Sequence, residues 1–194
     1  MESPVETAPA ESRSGALTIA LLVAVVVLAI VFAFSSSILL PNNWYSLFKA
    51  VHVVFAVIWV GGGSLIMILA LRAERAMDPD ELVTIARQAA FAGERIFAPA
   101  GLVVFLMGIA MLINTDLGWG KFWVILGLIG YATTFVTGIA VLSPLSKKIT
   151  ASSAELGPTH PETIALIKRI LLIGRFDVAV LLVVVLDMVT KPFA

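Results

Sequence analysis

Phe48–Gly63, FKAVHVVFAVIWVGGG, is apolar enough to lie in a lipid bilayer, yet it carries Lys49 and His52 near one end. Its apolar character continues on both sides, from about Tyr45 to Leu71, which is more than the roughly twenty helical residues needed to cross about 30 Å of hydrocarbon. A membrane-spanning helix follows. The two ionisable residues inside it then need an explanation of their own.

Composition agrees with that reading over the whole chain. Of 194 residues, 60% are hydrophobic and 13% charged, and the mean hydropathy is +1.04, well outside the range of a soluble domain. Thirteen basic and thirteen acidic residues balance, and no Lys/Arg-rich run suggests a nucleic-acid partner. The chain has no cysteine, so disulfides, thiolate metal sites and iron–sulfur clusters are excluded, and any metal chemistry falls to His, Met or carboxylates. Gly-rich phosphate loops, nucleophile motifs and zinc-ligand spacings are absent as well, which removes most soluble chemistries from consideration.

Five stretches qualify as spans: Ala16 to Phe34, Tyr45 to Leu71, Phe97 to Ile113, Phe122 to Leu142 and Ile170 to Val189. The predicted fold is an all-α, polytopic transmembrane bundle with a short polar tail (1–15), an additional N-terminal helix (16–34) and a four-helix domain (44–192). The first span is too long for the apolar core of a signal peptide and has an acidic tail before it, which favours a retained helix over cleavage near FAFSSS. Pro99 is expected to start or bend the third span. Basic residues concentrate between spans two and three (Arg72, Arg75, Arg87, Arg95) and between spans four and five (Lys147, Lys148, Lys168, Arg169, Arg175). By the positive-inside tendency the N-terminus is inside and the C-terminus outside a bacterial cytoplasmic membrane, with Trp44, Tyr45, Trp119 and Trp123 at the outer interface.

Asp78-Pro79-Asp80-Glu81 and Thr159-His160-Pro161-Glu162 each place a capping side chain three residues before a glutamate, with proline in the first turn. Spans two with three, and four with five, therefore read as two hairpins of the same direction, consistent with an old duplication. Gly61 to Ser64 narrows span two, and Gly130, Thr134 and Gly138 form a small-residue ridge on span four, as close helix contacts in lipid require.

Lys49, His52, Ala56, Trp59 and Gly63 recur at helical spacing down one face of span two, with His52 about 10 Å inside Tyr45. Asp187 on span five lies at comparable depth, and Met107 and Met111 on span three run toward the same layer. Ionisable groups within a bilayer usually face the bundle interior in pairs. Two readings remain open beside a proton or ion pathway, for which one histidine and two intramembrane carboxylates are thin material. Asp187 either neutralises Lys49 or accepts a hydrogen bond from His52 and locks the bundle, or His52 is a ligand to haem b or copper, with Asp187 orienting the imidazole and Met107 or Met111 as thioether donors. Near the other boundary, Glu94, Arg95, Arg175 and Asp177 are expected to form two ion pairs between spans three and five. His160 reads as a solvated cap.

The runs LFKAVHVVFAVIWVGGGSLIMILALRAER, ERIFAPAG and IGRFDVAVLLVVVLDMVTKP resemble a bacterial family of predicted integral membrane proteins classed as a domain of unknown function, DUF2269. The likeness covers about Trp44 to Pro192 and leaves the first span as an addition. More distantly, KAVHVVFAVIWVGG is similar to the first helix of copper-resistance D-type proteins and of J-type protoporphyrinogen oxidases, a likeness that implies His52 as a haem or metal ligand. Further polar residues expected around a porphyrin in those proteins have no counterpart here. Expectation therefore divides between a haem- or copper-associated membrane protein and a non-catalytic scaffold or accessory subunit. The expected partners are the lipid bilayer and a second copy or another membrane subunit.

Overall fold

The computed structural model describes residues 44–192 apart from 114, 116 and 117; the expected tail 1–15 and the additional helix 16–34 lie outside the described residues. From Phe48 onward the chain forms one compact unit. Four long helices run through it: α1 Trp44–Ala76, α2 Pro79–Ile113, α3 Phe122–Leu156 and α4 Pro161–Thr190. No strand occurs among the described residues.

The two hairpin turns explain the up-and-down course. Met77 adopts a left-handed backbone with φ 52°, which returns its N–H to the Ala73 and Glu74 carbonyls and ends α1. Asp78 then accepts from the Glu81 N–H at 2.9 Å, and Pro79 occupies the first turn of α2. At the second turn Gly157 has φ +96°, and α4 is capped by His160, whose Nδ1 accepts from the Glu162 N–H at 3.4 Å. The cap is thus His160 and not Thr159, because Pro161 fixes where the helix begins. Buried Thr163 ties the turn down, donating to the Gly157 carbonyl at 3.0 Å and meeting Ser152 Oγ at 2.8 Å.

Helices α1, α2 and α3 are long and apolar enough to cross a membrane. At 33 to 35 residues each is about 50 Å long against about 30 Å of hydrocarbon. The excess lies at the end of the hairpin turns, called here the basic end. There Ala70, Ala73, Ile85, Ala86, Ile149, Ile167 and Leu171, drawn from all four helices, make one buried core, as in a water-soluble four-helix bundle. The segments between the expected spans, where the two caps announced helix starts, are continuations of the long helices. Toward the other end the pattern inverts, and Val57, Ile68, Leu106, Ile129 and Val136 are exposed, a surface that only lipid would cover at low cost.

Glycines set how closely the helices approach there. A side chain at Gly62 would strike the Phe97 ring, one at Gly130 would strike Val184, and one at Gly174 would strike Met67. The room that WVGGG leaves at Gly62 is therefore filled by a neighbouring helix. Gly138, the last of the expected ridge on α3, instead faces open space.

Each of α1, α2 and α3 contains one π-helical turn: Val57–Gly61, Gly93–Phe97 and Gly138–Leu142. The second and third have a local cause. Pro99 and Pro144 stand inside α2 and α3, where proline cannot donate to the carbonyl four residues back and crowds it. Just before each, a wider turn absorbs the mismatch, with the Ala98 N–H reaching the Gly93 carbonyl and the Ser143 N–H reaching the Gly138 carbonyl, five residues back. Pro99 consequently does not start its helix, which runs through it from Pro79 to Ile113.

Candidate functional site: a chamber at the level of the π turns

The three π turns meet in one layer of the bundle, next to α4, and beside them lies a half-open chamber of about 620 Å³ whose rim includes the exposed Glu94 and Lys147. Gly63, Gly93 and Gly138, one from each of α1, α2 and α3, line it, and a Cβ on any of the three would meet nothing within 4 Å. Much of the opening thus exists because these three positions carry no side chain. Trp59 and Phe135 also line the chamber. They belong to an aromatic cluster in which the Trp59 ring meets Tyr131 edge-on at 5.5 Å and Phe135 edge-on at 6.2 Å, while Tyr131 stacks on Phe105 at 5.1 Å and on Phe135 at 5.3 Å. Gly101 makes room for this cluster, since a Cβ there would stand 3.0 Å from the Phe135 ring.

Three ionisable side chains reach the chamber: Glu94, Lys147 and Asp177. Glu94 pairs with Lys147 and accepts from Ser143 Oγ at 3.0 Å, joining α2 to α3 at the basic side. Asp177, on α4, has a buried Oδ1 with no hydrogen-bond partner. Arg175 is directed to Glu74 of α1 instead. The two expected pairs between spans three and five are therefore corrected. Arg175 and Asp177 are two residues apart and project from different sides of α4, so the arginine meets α1 while the carboxylate faces the chamber.

His52 sits on α1 against α2. Its Nδ1 is 2.8 Å from the Val104 carbonyl, and since a carbonyl only accepts, Nδ1 carries the proton and donates. Gly108 provides space for the ring, its would-be Cβ lying 3.4 Å from His52 Cε1. Asp187 is elsewhere, between α4 and α3. It is 4% exposed, a Cβ on Gly127 would lie 3.7 Å from its Oδ2, and neither carboxylate oxygen has a hydrogen-bond partner. The expected hydrogen bond from His52 to Asp187 is thus not made, because the imidazole proton is taken by the α2 backbone. Met188, beside Asp187, packs against the core of Leu112, Trp123 and Val124. The Met111 carbonyl accepts from Thr115 Oγ1 at 2.6 Å.

A haem or copper site at these residues meets one requirement, a histidine held through Nδ1 with Nε2 left over. Asp187 does not reach the imidazole, and no group of three or more His, Asp or Glu side chains able to hold a metal occurs among the described residues.

Long apolar helices with a lipid-like outer surface define a multi-pass integral membrane protein. The chain belongs to the family described as predicted integral membrane protein (DUF2269), whose profile matches residues 46–192. No curated protein and no solved structure matches it, so the distant likeness to copper-resistance and protoporphyrinogen oxidase proteins rests on the residues of α1 alone.

Proposed function

We propose that the protein is a five-span component of a bacterial cytoplasmic membrane, N-terminus inside and C-terminus outside, whose four-helix unit binds a small, largely apolar molecule in the chamber between the π turns. The observation that carries this reading is the buried, unpartnered Oδ1 of Asp177 facing a space kept open by three glycines. A polar atom withheld from water without a partner is costly, and a pocket of mostly apolar lining with few polar groups is the usual form of a ligand site. The fourth span of the unit is α4. It carries Arg175, Asp177 and Asp187, yet it exposes Leu182, Val183, Leu186 and Val189 and buries Asp187, as a lipid-facing helix with an inward polar side would.

The absence of native cysteine makes the test direct. Gly63→Cys in the full chain, reconstituted in vesicles, is expected to react with a membrane-permeant maleimide, and Ile68→Cys on the lipid face is expected to stay unreactive. An inert Gly63→Cys in folded protein overturns the chamber and leaves a scaffold whose charges hold helices together. A reporter fused after Ala194 should be active only outside the cytoplasm; activity inside overturns the five-span topology.

A second reading, favoured by the hydrogen bond that fixes the His52 tautomer, makes His52 an axial ligand to haem or copper through Nε2, with Met107, Met111 and Asp187 as the nearby candidates named by the sequence. Purified protein would then show a Soret band or bound copper that His52→Ala abolishes. Absence of both, or a cofactor retained in His52→Ala, rejects it.

A further inference from the structure

We infer that the occupant of the chamber is a protonated amine on an apolar body, with Asp177 as its counter-ion; this rests on the chamber reading above. Glu94 and Lys147 cancel each other, and Arg175, the cation nearest in sequence to Asp177, is held by Glu74. What remains inside is the carboxyl of Asp177, with one buried oxygen unanswered. An anionic ligand would add like charge to it. A neutral apolar ligand would leave it unpaired in a low-dielectric space, which is the costly arrangement.

A metal cation fits poorly as well. Hard cations need six or more oxygen ligands, several of them carboxylates, whereas Asp177 is the one carboxyl among the described lining residues that is not in an ion pair. An ammonium needs only one strong acceptor and tolerates aromatic faces for the rest of its shell. Trp59 and Phe135 line the same space, and the remaining wall is mainly aliphatic, suited to the body of the molecule. The amine could belong to a free amphiphile or to the headgroup of an aminophospholipid, and the test separates these.

Maleimide labelling of Gly63→Cys is followed in phosphatidylcholine/phosphatidylglycerol vesicles with 2-phenylethylamine, 2-phenylethanol or 3-phenylpropionate added. The amine is expected to slow labelling, and the alcohol and the acid are not. Adding Asp177→Asn should weaken protection by the amine by about 10- to 100-fold, the value of one charge-assisted hydrogen bond, while Asp177→Glu restores part of it in protein of equal thermal stability. Equal protection by amine and alcohol, or amine protection unchanged by Asp177→Asn, overturns the amine while leaving the chamber standing. Labelling that proceeds unaffected by every compound also overturns it. Failure of Gly63→Cys to label at all overturns the chamber itself. Vesicles containing phosphatidylethanolamine identify the source: labelling slowed there without added compound, and released by Asp177→Asn, assigns the amine to the lipid headgroup, and labelling unchanged there assigns it to a free amphiphile.

Discussion

Neighbouring residues of nearly the same type have opposite structural meanings in this molecule, and glycine shows it best. Gly62 and Gly63 are adjacent in α1, yet a side chain at the first would collide with the Phe97 ring and one at the second would enter open space. Gly62→Leu should therefore lower thermal stability in detergent, by about 1 to 3 kcal/mol as for other overpacked sites. Gly63→Leu should leave it nearly unchanged while blocking the chamber. Equal destabilisation by both would mean that the space beside Gly63 is not open in the folded protein. His52 is also a residue whose partner matters more than its type. Because it donates to the Val104 carbonyl and Asp187 is buried against α3, mutations at the two positions should add, with a coupling in a His52→Leu/Asp187→Asn cycle within about 0.5 kcal/mol of zero. A larger coupling would return the two to one polar network. The carboxylate and imidazole were both visible in the sequence as inward-facing groups at similar depth. Their partners were not, since periodicity gives a face on one helix and not which neighbouring helix that face meets.

Among the elements, α2 and α3 share a device that a periodicity reading passes over. GERIFAP and GIAVLSP both place glycine six residues before proline, and in both the five residues from the glycine form the π turn. A proline within an otherwise uninterrupted apolar helix was the available signal, but by itself it marks a start, a kink or an end equally well. The ion pairs were misassigned for a similar reason. Glu94, Arg95, Arg175 and Asp177 gather at one level in the sequence, whereas the helices carry Arg175 to Glu74 and Lys147 to Glu94. A double-mutant cycle between Glu74 and Arg175 should give a small favourable coupling, up to about 1 kcal/mol because both side chains are partly in water, and the cycle between Glu94 and Arg175 should give none. Appreciable coupling in the second cycle and none in the first would restore the original pairing.

The described four-helix unit is folded by two solvents. Hydropathy located the four helices of the described unit, because a lipid-facing surface leaves a run of apolar residues that cannot be missed. It understated their length, because the basic ends are amphipathic helices packed around a core of ordinary soluble type, and charges on their outer faces end the apolar runs there. The chamber lies between these regimes and was legible only as room beside WVGGG, since which of its glycines faces open space is set by tertiary packing. Burial should therefore have different energetic consequences at the two ends. Ile149 is fully buried in the core at the basic end, and Ile129 is 60% exposed on the surface that faces lipid. Ile149→Ala removes apolar surface from a packed core and leaves a cavity, which should cost about 2 to 5 kcal/mol. Ile129→Ala exchanges one hydrocarbon contact for another, because lipid tails are as apolar as the side chain removed, and its effect in vesicles should be small. Thermal unfolding of the two variants in the same vesicles checks this. A lipid-face variant as destabilised as the core variant would place Ile129 in a protein contact and require another subunit on that side of α3.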